Sequence, residues 1–386
     1  MILEVVEAIL LVVLGFFLLY LAMLSLLALA AKRNLSFPAS RLRRLAIVVP
    51  AHNEEFAIGK TLRSFSTIDY PKELFDVVVV ADNCHDNTAR IAHSYGATVF
   101  ERFNPNLQGK GHALRWVFEK LLDQTPSYDA MVVVDADSTV SSNLLTVLNF
   151  YLERGNKVIQ VADLVRPFPG AWSPEVTRLA FTLYNYVRPL GRKVFGCSAG
   201  LRGNGMCFSA ETLRAHPWQA FSLTEDLEYG LILLLQGISV VFAPEAQVLA
   251  AMPQHSKDAL TQRTRWEAGR LPVIKRYTGR LLARALRRLS FNAFDAVVDL
   301  LTPPLVNLLI VVFAFTSVHA IVLALDVQGT SRYLWWWLML IALGLVHVFV
   351  GLLAARAHRS LYKALFYVPR YAVWKLLLYL KIINNG

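Results

Sequence analysis

The sequence predicts an α/β domain with a mostly parallel, Rossmann-like sheet, flanked by transmembrane and membrane-surface helices. Two observations lead to this fold class. Of the 386 residues, 55% are hydrophobic and only 17% are charged, which is too apolar for a soluble enzyme of this length. Between Leu45 and Arg288, however, short β-branched runs alternate with polar stretches of helical length. One part of the chain is therefore expected in lipid and another in water.

Residues 1–31 predict an N-terminal transmembrane helix. The stretch from Val5 to Ala31 contains one charged residue, Glu7, and is long enough to cross a hydrocarbon core of about 30 Å. Basic residues follow this stretch directly, namely Lys32, Arg33, Arg41, Arg43 and Arg44. Under the positive-inside rule, the chain after this helix is expected in the cytosol.

Residues 296–355 predict two further transmembrane helices. The apolar runs extend from about Leu300 to Leu325 and from Tyr333 to Ala355, and a short outward-facing loop joins them. Trp335, Trp336 and Trp337 have the pattern of an aromatic belt at the membrane surface. Like the first span, these helices indicate a multi-pass integral membrane protein, expected in a bacterial inner membrane.

Two segments alternate apolar and basic residues and predict helices that lie on the membrane. They are residues 261–292 and 361–383. The net charge of +11 comes from residues beside the membrane segments, so the expected partners are anionic lipid headgroups and not nucleic acid. The three cysteines form no C-x-x-C pair and are expected to be reduced thiols.

Residues 45–260 predict a single cytosolic domain. Six runs read as buried, largely parallel strands: Ala46 to Val49, Val77 to Ala81, Thr98 to Phe100, Met131 to Val134, Val158 to Val161 and Val240 to Ala243. In such sheets ligands bind beyond the carboxyl ends of the strands, so the residues after each run are the candidates for chemistry.

Acidic residues follow three of these strands. The pairs are Glu54 and Glu55, Asp82 and Asp86, and Asp135 and Asp137. One such pair is typical of a turn, but three pairs at one sheet edge predict a bound cation, and oxygen ligands suit Mg²⁺ or Mn²⁺. A dinucleotide-binding dehydrogenase would need G-x-G-x-x-G after the first strand, and the sequence has none there.

Seven motifs occur in a fixed order between Ile47 and Arg270. They are PAHNEE, ADNCHDNT, GKGHAL, DAD, GNGMCFS, TED and QRTRW. Together they resemble the GT-A-type family 2 glycosyltransferases, which include cellulose, chitin and hyaluronan synthases and ceramide glucosyltransferase. The second motif departs from the family at Ala81, where an acid is usual. The resemblance implies a GT-A fold and a metal-dependent, inverting hexosyltransferase that uses a nucleotide diphosphate sugar.

The resemblance also implies which residues bind the donor. These are Pro50, Asn53, Glu54, Asp82, Lys110, Asp135 and Arg265. Asp82 would read the nucleobase, and because a carboxylate can accept the imide N–H of uracil, a UDP sugar is favoured. Asp137, in the D-x-D motif, would hold Mg²⁺ or Mn²⁺ against the diphosphate.

Asp226 is the expected catalytic base, with Glu225 beside it in the T-E-D motif. A positioned base typically raises the rate of the chemical step by a factor of about 10²–10⁴. An alternative is that Thr224 caps the following helix. The expected acceptor-binding residues are Trp266, Gln262, Gly203, Asn204 and Gly205. Alternatives are a membrane-surface helix for the Q-x-x-R-W motif and a tight turn for the glycine motif. His52, His85 and His112 are interpreted as loop or capping residues.

Three functions remain open. The leading one is transfer of one or a few sugars to a lipid or lipid-linked acceptor at the cytosolic face of the membrane. The second is a processive synthase that extends a glycan acceptor into a polysaccharide, and the third is a non-catalytic scaffold. The acids at 135, 137 and 226 argue against the scaffold.

Overall fold

The computed structural model describes residues 2–32, 36–168, 171–252, 256–325 and 331–384, and the side chains of 4–32, 36–168, 171–252, 268–325 and 333–376. Contacts divide the chain into two compact units. The sheet unit comprises residues 32–166 and 196–297, and the helical unit comprises residues 1–31, 167–195 and 298–386.

The described residues form one sheet of eight strands. In chain order they are β1 (Leu45–Ala51), β2 (Phe75–Asp82), β3 (Thr98–Arg102), β4 (Ala130–Val133), β5 (Thr139–Val140), β6 (Val158–Val165), β7 (Met206–Ser209) and β8 (Val241–Ala250). Their order across the sheet is β3-β2-β1-β4-β7-β6-β8-β5. The first four are parallel, β7 is antiparallel to both of its neighbours, and β6 and β8 are parallel.

The expectation of a mostly parallel sheet is confirmed, and each of the six predicted runs overlaps an observed strand. Two strands, β5 and β7, were not predicted, because one is only two residues long and the other follows a glycine turn. The prediction of burial is wrong for β3, where Thr98 is exposed. The reason is its place at the edge of the sheet, with a neighbour on one side only.

The core of the sheet unit explains why polar side chains collect beyond the carboxyl ends of the strands. Leu45, Ile47 and Val49 of β1 are fully buried and pack in one cluster with Val132 and Leu148. A strand buried on both faces has no exposed position for polar chemistry, so functional side chains collect in the loops after the carboxyl ends.

Fifteen α-helices are assigned in the described residues. In chain order they are α1 (Ile2–Leu29), α2 (Ile58–Phe65), α3 (Thr88–Ser94), α4 (Lys110–Leu122), α5 (Leu144–Glu153), α6 (Trp172–Phe181), α7 (Arg188–Val194), α8 (Ala210–Ala215), α9 (Glu225–Leu235), α10 (Ser256–Arg287), α11 (Phe291–Leu301), α12 (Leu305–Ala324), α13 (Ser331–Ala354), α14 (Arg359–Ala364) and α15 (Val368–Asn384). A π-helical segment, Thr182–Val187, connects α6 and α7.

Three helices of the helical unit are long and apolar enough to cross a membrane: Glu4–Leu29, Leu305–Ala324 and Tyr333–Ala354. They coincide with the three predicted spans. The second begins at Leu305 and not at Leu300, because Pro303 and Pro304 separate α11 from α12. Proline has no backbone N–H and cannot continue a helix without loss of a hydrogen bond.

The predicted continuous domain at 45–260 is interrupted, because residues 167–195 pack within the helical unit. In α7, a Cβ added to Gly191 would lie 2.3 Å from the carbonyl oxygen of Leu24 in α1, so glycine permits direct contact between the two backbones. Arg188 and Arg192 of the same helix donate to the carboxylate of Asp299 at 2.6 and 2.9 Å. A close backbone contact and two ion pairs thus hold this segment in the helical unit.

A partly buried polar contact joins the three long helices. One oxygen of Glu7 in α1 accepts hydrogen bonds from Nε2 of His319 at 2.5 Å and from Nε1 of Trp337 at 2.7 Å. The aromatic-belt prediction is therefore wrong for Trp337, which is fully buried, because its N–H has a carboxylate partner. Trp335 and Trp336 are 74% and 56% exposed, as a belt would require.

The two predicted surface segments are helical. Residues 261–292 lie in α10 and the start of α11, and residues 361–383 are divided among α14, a short 3-10 turn and α15. Their position at a membrane surface stays a prediction. None of the three cysteines, all of them described, forms a disulfide.

Candidate active site

The loops after β1 and β2 are bonded to each other. Asn53 has a positive φ of 54°, and its side-chain oxygen accepts the backbone N–H of His85 at 2.8 Å. The N–H of Glu54 donates to Oγ1 of Thr88 at 2.8 Å. Pro50 lies within β1, opposite Val80. The geometry therefore brings together the first two predicted motifs.

Two of the six predicted site acids serve these loops. Glu55 accepts hydrogen bonds from the backbone and side-chain amides of Asn87 at 3.1 and 3.0 Å. Asp86 accepts the N–H and the hydroxyl of Thr88 at 3.0 and 2.5 Å. Both carboxylates thus hold the connection between β2 and α3.

Asp82 forms a buried ion pair that was not predicted. Oδ1 of Asp82 accepts from Nη1 of Arg102 and, at 3.1 Å, from the amide of Asn83. The second guanidinium nitrogen of Arg102 donates to the carbonyl of Leu107 at 2.9 Å. Arg102 is the direct partner of Asp82 in the register of β2 and β3, so the signal was present in the strand pairing and not in any motif.

Lys110 occupies the first turn of α4 and bridges two other predicted motifs. Its ammonium donates to Oδ1 of Asp135 at 2.5 Å and to the carbonyl oxygen of Gly203 at 2.5 Å. Burial lowers the pKa of Lys110, but the negative charges of Asp135, Glu225 and Asp226 more than offset this effect, so its pKa is raised. Lys110 is therefore a fixed positive charge among carboxylates.

The acids after β1 and β4 meet in one place. Burial and the charge of Asp135 raise the pKa of Asp137 to about 6. Burial raises the pKa of Glu54 to about 7, with further contributions from Asp137, Asp135 and Asp86. Carboxyl groups that raise each other's pKa lie in a region of negative potential, which attracts a cation.

Asp163, on β6, belongs to the same group of acids although it was not predicted. Burial and the charge of Asp135 raise its pKa well above the ordinary value. Its Oδ1 lies 3.5 Å from the amide nitrogen of Asn204. No sequence motif indicates Asp163, because it lies within a strand and not after one.

The glycine motif forms a tight turn whose asparagine supports the D-x-D motif. Asn204 is buried; its side-chain oxygen accepts the N–H of Asp135 at 3.1 Å, and its amide donates to Oγ of Ser138 at 2.8 Å. Gly205 has a φ of 68°, and a Cβ there would lie 2.4 Å from Val161. For Asn204 and Gly205 the geometry favours the turn over acceptor contact.

Asp226 lies against the first residue of this turn. A Cβ on Gly203, which has a φ of 85°, would lie 3.3 Å from Oδ2 of Asp226. Burial raises the pKa of Asp226, and burial together with the charge of Asp226 raises that of Glu225 to about 7. The hydroxyl of Thr224 donates to the carbonyl of Gly269 at 3.1 Å, so its side chain does not cap α9.

The Q-x-x-R-W motif falls within α10, whose backbone is helical there. The side chains of Gln262, Arg265 and Trp266 lie outside the described residues. Within the described part of the chain, no three side chains of His, Cys, Asp or Glu form a preformed metal cluster. Asp137 and Asp135 therefore fit a cation only if other ligands, such as phosphate oxygens and water, complete its coordination.

A family model, glycosyltransferase like family 2, matches residues 43–269. The chain belongs to this family. Among solved structures, this family 2 chain is similar to a mannosyltransferase from Pyrobaculum calidifontis in complex with GDP-Man and Mn²⁺, with a TM-score of 0.57 and 15% identity over 90% of this chain and 99% of the other. That likeness shows the GT-A fold.

Two curated relatives are glycosyltransferases by name. The chain is 24% identical to the protein described as probable glycosyltransferase YdaM of Bacillus subtilis, over 66% of this chain and 61% of the relative. It is 29% identical to 4,4'-diaponeurosporenoate glycosyltransferase of Staphylococcus aureus, over 44% of each. The matches thus span less than two thirds of either relative.

Proposed function

We propose that this glycosyltransferase moves a sugar from a UDP sugar to a hydroxyl of a lipid or lipid-linked acceptor, with inversion at the anomeric carbon. One observation carries the proposal. The carboxyl group of Asp226 lies against Gly203, whose carbonyl oxygen holds the same Lys110 ammonium that binds Asp135. A candidate base is thus next to the candidate donor-binding acid.

Asp226 acts as the base in this proposal. Burial raises its pKa, so the ionised carboxylate accepts a proton more readily than an exposed one. The acceptor oxygen gives this proton to Asp226 as it bonds to the anomeric carbon, and the bond from that carbon to the diphosphate oxygen breaks on the opposite side. A single displacement of this kind inverts the configuration, and only one base is required.

Asp137, with Asp135 beside it, would hold Mg²⁺ or Mn²⁺. When bound, the cation stabilises the negative charge that develops on the leaving diphosphate. The raised pKa values of Asp137 and Glu54 support this assignment, because burial and the neighbouring carboxylates both disfavour their negative charge, and a cation would offset that cost. Ser138 donates to Asp137 at 3.1 Å and orients its carboxyl group.

Asp82 would accept the imide N–H of uracil. Arg102 and Asn83 both bind Oδ1 of Asp82, and an ionised carboxylate has further acceptor positions on its second oxygen. Arg102 thereby orients the buried carboxyl group of Asp82. Because guanine also offers N–H groups, the choice of base has to be measured.

The lipid acceptor is supported by three candidate membrane spans and by the Staphylococcus aureus relative named for diaponeurosporenoate. Helix α10 adds support. One of its faces, with Val273 and Tyr277, is buried in the sheet unit, while Leu271, Leu282 and Leu286 are exposed on another. Residues 268–287 of α10 include no acidic residue and six basic ones, namely Arg270, Lys275, Arg276, Arg280, Arg284 and Arg287. This composition suits a helix on an anionic membrane surface, where Gln262 and Trp266 would meet the acceptor and Arg265 the donor.

The test is a reaction of the purified protein with a panel of nucleotide sugars, a membrane lipid extract, and Mn²⁺ or Mg²⁺. We expect metal-dependent release of UDP and a chloroform-soluble product bearing one or a few sugars, with inverted configuration by NMR. The matched control is Asp226→Asn. No release from any donor, or a retained configuration, would refute the proposal, and a long water-soluble polymer would favour the processive synthase.

A further inference from the structure

The first turn of α4 packs directly on the segment that leads to Asp226. A Cβ added to Gly111 would lie 2.3 Å from the carbonyl oxygen of Ala220, so this approach requires glycine. The next residue, His112, stacks its ring on that of Phe221, with centroids 4.3 Å apart and planes inclined by 12°. The sequence predicts a loop or capping role for His112, whereas its ring packs on another aromatic ring.

The other end of this segment is held by polar contacts. The N–H of Ser222 donates to Glu228 at 3.3 Å, and the other carboxyl oxygen of Glu228 accepts from the hydroxyl of Tyr277 at 3.0 Å. Glu228 thus links Ser222 to Tyr277 of α10. Phe221, 41% exposed, is the point at which the segment meets α4.

The same turn of α4 is bound to the donor side of the site. Lys110, two residues before His112, bridges Asp135 and Gly203. Burial and the positive charge of Arg102 lower the pKa of His112, so its ring is neutral at pH 7 and contacts Phe221 as an uncharged aromatic. One helical turn therefore touches the donor-binding acid and the approach to the base.

We propose that His112 is a positioning residue: its stacking on Phe221 fixes the segment before Asp226 to the donor-binding turn of α4. The inference rests on the proposed role of Asp226 as the base. If the stack is lost, Asp226 spends less time in line with the acceptor oxygen, and the rate at saturating donor falls. Donor affinity stays the same, because Lys110, Asp135 and Asp82 keep their contacts.

The experiment compares four variants with the wild-type full-length protein. They are His112→Ala, Phe221→Ala, the double alanine variant, and the exchange of His112→Phe with Phe221→His. Each single variant should lower kcat by about 3- to 10-fold, the usual effect of an aromatic pair. The double variant should fall no further than the lower single variant, because both changes remove one contact. The variant in which the two residues are swapped should recover kcat to within about 2-fold of wild type, since a stacked His–Phe pair is restored.

Three further measurements separate positioning from other roles. UDP affinity in the presence of Mn²⁺ should be unchanged in all variants. Backbone amides of residues 219–227 should exchange hydrogen faster in His112→Ala than in wild type. In the variant that combines His112→Phe with Phe221→His, they should exchange hydrogen at the wild-type rate. His93 is exposed on α3, so His93→Ala is the matched control. It should change neither kcat nor the hydrogen-exchange rates of residues 219–227.

The inference is overturned if the two alanine effects on kcat are additive, if His112→Ala weakens UDP binding while kcat is kept, or if exchange at 219–227 does not change. An inactive wild-type protein would refute the proposed function instead. The hydrogen-exchange data would still decide whether the stack orders residues 219–227, because they require no turnover.

Discussion

Replacing Asp226 by asparagine separates its proposed role as a base from its role in the fold. The amide has nearly the shape of the carboxylate, so it fits beside Gly203, where a Cβ would lie 3.3 Å from Oδ2. An amide cannot accept the acceptor's proton. We expect kcat to fall by about 10²–10⁴, which corresponds to about 2.7–5.4 kcal/mol in the barrier.

The same substitution should not weaken the fold. The pKa of Asp226 is raised, chiefly by burial, so its ionised form costs stability at every pH above its ordinary value of about 3.9. The variant lacks that cost. It also removes a negative charge beside Glu225, whose pKa of about 7 should fall. Between pH 7 and 8 we therefore expect a melting temperature equal to or above that of wild type.

The assay combines UDP release, UDP binding and thermal melting on the same preparation. Glu225→Gln is the matched control, because it relieves the same repulsion and leaves the proposed base in place. Loss of kcat with kept UDP binding and kept melting temperature is the expected result for Asp226→Asn. If this variant keeps more than about a tenth of the wild-type rate, or if Glu225→Gln loses as much, the base is another residue.

Three further predictions concern the acids and their partners. Asp137→Asn should raise the Mn²⁺ concentration required for half-maximal UDP release at least about tenfold, because an amide is a poorer ligand for a hard cation; an unchanged metal titration would contradict this. Asp163 has a raised pKa, so wild-type stability should fall as the pH rises from the ordinary pKa of an aspartate through the raised pKa of Asp163. Asp163→Asn should flatten this dependence in melting curves between pH 5 and 8, and parallel curves would refute it. Arg102→Met should leave the buried Asp82 carboxylate unpaired and destabilise the fold by about 3–5 kcal/mol in chemical unfolding. Adding Asp82→Asn should recover stability but not UDP binding, and recovery of binding would argue against Asp82 as the base-reading residue.

Strand position was predictable because it depends on local patterning. The β-branched runs located the carboxyl ends of β1, β2 and β4, and with them Asp82, Asp135 and Asp137. Arg102 was not predicted, because its pairing depends on the register of β3 against β2. Register follows from long-range packing, which no local pattern reports.

The direction in which a turn faces was not predictable either. The G-N-G pattern indicates a backbone that closely approaches another group. That group could equally well be an acceptor or a protein strand. In the structure Gly205 lies against Val161 of β6, and Asn204 binds Asp135 and Ser138, while contact with an acceptor stays a prediction. Likewise, residues 167–195 have helical patterning, but the element on which they pack is decided by Gly191 and its approach to Leu24.

Under the proposed function, the charges of the site should make donor and cation binding depend on each other. The carboxyl groups linked by mutual electrostatic effects are those of Glu54, Asp135, Asp137, Asp163, Glu225 and Asp226. Lys110 and Arg202 supply positive charge among them. A nucleotide diphosphate brings further negative charge, so its binding requires a divalent cation or uptake of protons by the acids. The cation and UDP should therefore raise each other's affinity by the same factor, because such coupling is reciprocal. The factor should be larger at pH 8 than at pH 6, where protons on Asp137, Glu54 and Glu225 already offset part of the repulsion. UDP titrations at both pH values, with and without Mn²⁺, measure that difference directly, and equal factors at the two pH values would show that these acids do not control donor binding.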